Sequence, residues 1–287
     1  DATDSWLRGL LTDAIAQHGA DPAQFALLAV GGYGRREMSL GSDIDVVLVH
    51  EPSALRVEDV ASSLWYPIWD SKIALDHSVR TIAQARTLAR DDFKVVLGLI
   101  DARVVAGSTE LGESLRTGIL GDWRASAGDR LVELHATAMA RRSRVGDLAQ
   151  LLEPDVKEAY GGLRDVVLLR ALAASWTVEV PRTEWPTAVS TLLDVRDTLH
   201  ARGLRDRLAM QEQDDIAAEM TELLGDEATA DDLLRTVYLA AREIAYASDV
   251  AWYRALRATR KPPSLAPRVL RRLTRRSASP SKGPERV

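Results

Sequence analysis

A chain of 287 residues, 46% of them hydrophobic, holds enough apolar material for two folded domains. Its net charge of −5 argues against a general nucleic-acid binder, and it has no run of about 18 or more uncharged apolar residues to span a membrane. The absence of cysteine excludes disulfides, thiolate nucleophiles and Cys-type zinc sites, and it fits a reducing cytoplasm.

The chain opens Asp1-Ala2-Thr3-Asp4, without Met and without the basic-then-apolar pattern of a signal peptide, so it reads as cut from something longer. Trp6, Leu10, Leu11 and Ile15 share one face of a first helix that Gly19 can end. Phe25 to Val30 reads as a buried strand stopped by Gly31-Gly32, and Ile44 to Val49 as a second strand. Ser53 to Trp65 reads as a helix between strands. Lys72 to Thr81 alternates Ile73, Leu75, His77 and Val79 against Asp76, Ser78 and Arg80, which is strand period. From about Asp129 the pattern turns helical. Leu131, Leu134 and Ala138 recur at helical spacing, as do Val166, Leu169 and Ala173. Further helices are expected at Ala188–His200, Asp206–Leu224 and Ala230–Arg257. The expected architecture is α+β, with a small mixed-sheet domain over 1–125 and an all-helical bundle over 126–260. Residues 261–287 carry eight basic residues against one acid, with a Ser/Pro/Gly cluster, and read as a linker or disordered tail.

The informative stretch runs from Gly31-Gly32-Tyr33-Gly34-Arg35 to Ser42-Asp43-Ile44-Asp45, followed by Val46-Val47-Leu48-Val49. Gly31 and Gly32 leave no side chains in the way of a phosphate approaching the backbone. Arg35 could add a charge-assisted contact. Asp43 and Asp45 lie two apart at the start of a strand, so both carboxylates are expected on one face while Ile44 enters the core. Two such carboxylates repel unless a cation lies between them. Hard oxygen ligands beside a phosphate loop favour Mg²⁺, with Mn²⁺ as the alternative. The layout suits in-line attack on a phosphate. His77 and His200 read as hydrogen-bonded structural residues, and the tryptophans Trp65, Trp69, Trp176 and Trp185 as core or interface residues.

This segment resembles the nucleotidyltransferase motif of the DNA polymerase β superfamily, and more closely the N-terminal region of bacterial PII uridylyltransferases. Three further segments carry the closer resemblance: His77-Ser78-Val79-Arg80-Thr81; Glu153-Pro154-Asp155-Val156-Lys157 with Gly161-Gly162-Leu163-Arg164-Asp165; and Arg196-Asp197-Thr198-Leu199-His200. The resemblance implies a polymerase β-type fold for the sheet domain. It implies that Gly31, Gly32 and Ser42 bind the triphosphate and that Asp43 and Asp45 hold metal. Asp76, on the polar face of its strand, is the candidate third carboxylate for metal and catalysis. Lys157 and Arg164 are candidates for phosphate or base contact.

The activity so implied is transfer of UMP or AMP from a nucleoside triphosphate to a tyrosine hydroxyl of the trimeric nitrogen-signalling protein PII, releasing pyrophosphate. UTP and ATP both stay open, since similar enzymes of Ala- and Arg-rich high-GC bacteria transfer AMP. Full-length members continue with a His-Asp hydrolase domain and two glutamine-sensing ACT domains. This chain has no His-Asp dipeptide, so the expectation is a transferase module alone, without demodifying activity or a glutamine switch. Two alternatives remain: another acceptor such as glutamine synthetase, or a nucleotide-binding regulatory module without catalysis. Intact Asp43 and Asp45 weigh against the second.

Overall fold

The computed structural model describes residues 2–181 and 185–259; the expected tail over 261–287 lies outside them. The elements follow in the order α1 (Ala2–His18), β1 (Phe25–Ala29), α2 (Gly31–Gly34), β2 (Ile44–His50), α3 (Val57–Asp70), β3 (Leu75–Arg80), α4 (Ile82–Asp91), α5 (Phe93–Ile100) and β4 (Arg103–Gly107). The long α6 (Thr109–Val145) comes next. It is followed by α7 (Leu163–Ala174), α8 (Trp185–Ala201), α9 (Gln213–Glu219), α10 (Thr221–Leu224) and α11 (Ala230–Thr259). This is the expected α+β class. No described helix is long and apolar enough to cross a membrane.

The four strands form one mixed sheet in the order β3-β2-β1-β4. β1 is antiparallel to both neighbours, and β2 is parallel to β3. Every residue of β1 is buried because both faces of the sheet are covered. Phe25, Leu27 and Ala29 pack with Ile44, Val46 and Leu48 against α1 and α3. Ala26 and Leu28 face the other way, with Val47 and Val49, onto a core shared with the helices that follow.

That shared core changes the meaning of the division at 125/126. The 37-residue helix α6 runs unbroken through it. Leu111, Leu115, Ile119 and Trp123 before that point, and Ala127, Leu131, Leu134 and Ala138 after it, belong to one apolar cluster. Trp123 is fully buried and its indole N–H donates to the Ala171 carbonyl at 2.8 Å.

The single helix expected over Asp206–Leu224 is replaced by an extended stretch, a 3₁₀ turn at Met210–Glu212 and two short helices. Val156 N–H donates to the Asp206 carbonyl at 2.8 Å and Leu208 N–H to the Pro154 carbonyl at 2.9 Å. This pairing takes the backbone groups that a helix there would need. Nor are all the tryptophans interior. Trp176 is 75% exposed, with the Arg124 guanidinium 3.6 Å over its ring.

Trp123→Ala should lower the unfolding free energy by about 3–5 kcal/mol, the usual consequence of emptying a large buried aromatic site. In urea, tryptophan fluorescence and far-UV circular dichroism should still report one shared transition. Two separated transitions would show that the halves fold independently.

Candidate active site

The Gly-Gly turn forms the short α2 at the C-terminal end of β1. Gly31 adopts φ +56°, and a Cβ there would lie 3.1 Å from Asp45 Oδ2, so backbone and carboxylate approach closely only because the residue is glycine. Gly34 is equally constrained, since a Cβ would lie 2.6 Å from the Asp101 carbonyl. Gly32 is not: a Cβ there meets nothing closer than 3.9 Å. Val30 N–H donates to the Asp45 carbonyl at 3.0 Å, joining the turn to β2. Tyr33 anchors it from behind, donating to Asp4 at 2.7 Å beside the Arg103–Asp4 ion pair. Burial, then Asp4, raises the Tyr33 phenol well above its ordinary pKa, so it remains a donor.

Asp43 is exposed just before β2, and Asp45 is half-buried within it, while Ile44 is buried as its position requires. The parallel register sets Asp45 directly beside Asp76 on β3. Burial raises the Asp45 carboxyl above the usual carboxylate range, and the charges of Asp76 and then Asp43 add to this. Lys94 and Lys157 act in the opposite sense. Three carboxylates thus gather at one end of the sheet, facing two ammonium groups. Asp76 acts on Asp45 more strongly than Asp43 does, although Asp43 is the closer in sequence.

Hard oxygen donors that repel one another suit a divalent cation. Among the described residues, however, no group of three or more His, Asp or Glu is drawn close enough to hold one. Asp76 instead pairs with Lys94 Nζ at 3.6 Å. The donor chemistry fits a cation, and gathering all three carboxylates around it would require Asp76 to exchange Lys94 for the ion.

Of the other expected site residues, Lys157 reaches the carboxylates electrostatically while pairing with Asp206 at 3.6 Å. Arg164 does not join them; it pairs with Glu158 at 2.7 Å and is half-exposed. Arg35 is taken up beneath the turn by Glu37 at 2.6 Å and Asp101 at 3.3 Å. Ser42 lies in a network that ties its loop to α8. It accepts from Ser39 N–H at 3.0 Å and from Arg196 at 3.1 Å. The Ser39 hydroxyl meets His200 Nδ1 at 2.6 Å, and His200 Nε2 meets Asp206 at 3.0 Å. Glu37 receives Arg170 at 2.7 Å. His200 is therefore a structural link, and His77 is one as well, packed 4.9 Å from Trp65 and 5.4 Å from Trp69.

The Gly161-Gly162 turn explains how Lys157 is presented. Gly161 has φ +86° and lies against the α11 backbone, where a Cβ would be 2.5 Å from the Ala241 carbonyl. Asp165 is buried; it accepts from Gly161 N–H at 2.7 Å and pairs with Arg141. Asp155 accepts from Lys157 N–H at 3.0 Å and Glu158 N–H at 2.8 Å. The Pro154–Asp165 segment is thus wound into a fixed platform for Lys157.

No local pattern in the sequence singles out Arg170, Asp206 or the loop-holding role of Arg196. For Lys94 a local signal existed: Asp92 caps α5, accepting from Lys94 N–H at 2.6 Å, a helix start with an aspartate cap. A cavity of about 880 Å³ lies elsewhere, along β4 between Arg8 and Arg116, and does not involve Asp43, Asp45 or Asp76.

The glycine geometry separates folding from ligand approach. Gly34→Ala should destabilise the protein by about 1–3 kcal/mol through overpacking, whereas Gly32→Ala should stay within about 0.5 kcal/mol of the parent. Chemical denaturation of the two variants distinguishes them; equal losses would contradict this geometry.

The DUF294 nucleotidyltransferase family matches residues 1–66, and the GlnD PII-uridylyltransferase family matches residues 130–183. A bifunctional uridylyltransferase/uridylyl-removing enzyme of Streptomyces coelicolor is 52% identical over 255 residues, covering 88% of this chain and 30% of that protein. A protein of the same description from Mycobacterium tuberculosis is 42% identical over 259 residues, covering 86% of this chain and 31% of that protein. The chain therefore spans about 30% of the length of these relatives. With Asp43, Asp45 and the Gly-Gly turn falling in the first matched region and the Lys157 platform in the second, the chain belongs to the bacterial PII uridylyltransferase family of nucleotidyltransferases, of which it represents the N-terminal part.

Proposed function

We propose that this chain transfers UMP from UTP to a tyrosine hydroxyl of the PII trimer and releases pyrophosphate. The observation that carries the reading is the side-by-side placement of Asp45 and Asp76 next to the Gly31 backbone, with Lys94 and Lys157 facing them. The names of the matched relatives favour UTP over ATP as donor.

In this reading the triphosphate lies over the Gly31–Gly32 turn, where backbone N–H groups and no side chains meet its outer phosphates. Lys157 moves from Asp206 to a phosphate oxygen and offsets its charge. The acceptor oxygen attacks the α-phosphorus in line, the bond to the bridging oxygen of the β-phosphate breaks, and pyrophosphate departs with that electron pair. Asp76, exposed at the edge of the sheet, takes the hydroxyl proton. Asp43 and Asp45, joined by Asp76, would hold Mg²⁺ or Mn²⁺, which when bound neutralises phosphate charge and lowers the pKa of the attacking hydroxyl. Ser42 and Arg35 act from behind, keeping loop and turn in shape, and Arg164 stands further off.

Incubating the chain with purified PII, Mg²⁺ and either UTP or ATP, then measuring intact mass, tests the reading. One UMP per PII subunit is expected with UTP. Product with ATP alone would reassign the donor, and no product with either would overturn the acceptor. Asp45→Asn should lower kcat at least about a thousandfold. It should not lower stability, because folding already disfavours the charged form of this carboxyl. Lys157→Ala should raise the triphosphate KM about tenfold, a change that steady-state kinetics would read directly.

A further inference from the structure

β3, which carries Asp76, is an edge strand with β2 as its one neighbour. Ile44 N–H donates to the Ala74 carbonyl at 2.8 Å. In a parallel ladder alternate residues turn both backbone groups to the partner. Asp76, Ser78 and Arg80 therefore turn theirs toward β2, and Leu75, His77 and Val79 turn theirs outward. Among the described residues no backbone hydrogen bond fills that outer edge. An open edge of this kind is a template for a further strand.

The two faces beside the edge differ. Asp76 shares one face with Asp45. On the opposite face, where His77 contacts Trp69, lies an apolar patch that nothing described covers. Tyr66 is 60% exposed, Trp69 44% and Ile73 38%, with the Tyr66 and Trp69 rings edge-on at 5.4 Å. Exposed Lys72 and Arg80 bracket the strand. Side chains of an added strand would alternate between these faces. One set would cover the aromatic pair, while the residue between them would point at the carboxylates.

We propose that the acceptor polypeptide docks as an added strand on the outer edge of β3. Its apolar side chains cover Tyr66, Trp69 and Ile73, its acidic residues meet Lys72 and Arg80, and its acceptor hydroxyl turns toward Asp76 and Asp45. This rests on the acceptor being a polypeptide hydroxyl, as in the function proposed above. The segment it fits is an extended loop in which the hydroxyl residue alternates with apolar ones. The nucleotide enters from the Gly31 side and the acceptor from the β3 side, so the two substrates do not compete for room.

The test uses the intact chain, PII and UTP. Tyr66→Ala and Trp69→Ala, singly and together, should raise the KM for PII about tenfold or more and leave the KM for UTP unchanged. Hydrogen exchange over residues 72–81 should slow when PII is added, because the outward amides of Leu75, His77 and Val79 become bonded. An unchanged PII KM in the double variant, or unaltered exchange at this strand, overturns the docking mode while wild-type activity on PII is retained. A wild-type chain that fails to modify PII overturns the functional reading and the docking proposal with it.

Discussion

Asp45 and Asp76 are held next to each other on parallel strands, one of them half-buried, so that their like charges cannot separate. The ladder between β2 and β3 enforces the register, and a slip of one residue would turn one carboxylate to the far face. Burial alone already disfavours the charged form of Asp45, and the second carboxylate adds to it. The surroundings answer this in two ways. Gly31 brings only backbone to the cluster, with no side chain to crowd it. Lys94 on α5 and Lys157 on the turn before α7 supply positive charge from two different parts of the chain. In the proposed reaction, the same excess of negative charge that is unfavourable in the free chain would draw a divalent cation and the phosphates that accompany it.

Keeping that arrangement requires the loop between Gly34 and Asp43 to stay in place, and the helical half does this. Arg170 and Arg35 converge on Glu37, Arg196 and His200 hold Ser42 and Ser39, and Asp206 joins Arg196, His200 and Lys157. Asp206 is the hub, since it restrains the loop through His200 and holds Lys157 in reserve. The helical bundle is thus part of the site rather than a neighbour of it. The single core running along α6 explains how two halves of different architecture keep a fixed relation.

The sheet contributes a third element by leaving its edges open. With α1 and α3 on one face and the helical core on the other, the described residues leave the strands open to approach at β3 and β4. β3 is the edge that carries a carboxylate. The half-exposed Tyr66 and Trp69 beside it are where a protein substrate could gain apolar contact without disturbing the phosphate side.

Much of this was legible in the residues. Gly31-Gly32, Asp43-x-Asp45 and the period-two strand around Asp76 are local patterns, and local patterns determine which face a side chain takes once a strand forms. The core faces of α1, β1, β2 and α11 follow from the same periodicity. Other features depended on pairing between distant segments. The bonds of Val156 and Leu208 to residues remote in sequence broke the helix expected at Asp206–Leu224 and set Asp206 beside Lys157. The partners of Arg35 and Arg164 are likewise contacts that no spacing encodes. Sequence by itself determined the carboxylates and the glycine turn, because their chemistry lies in adjacent residues. Only the tertiary structure decided which cations face them, which serine and histidine hold the loop, and which strand edge stays free, because charge and backbone hydrogen bonds act through space between segments whose order in the chain says nothing of their distance.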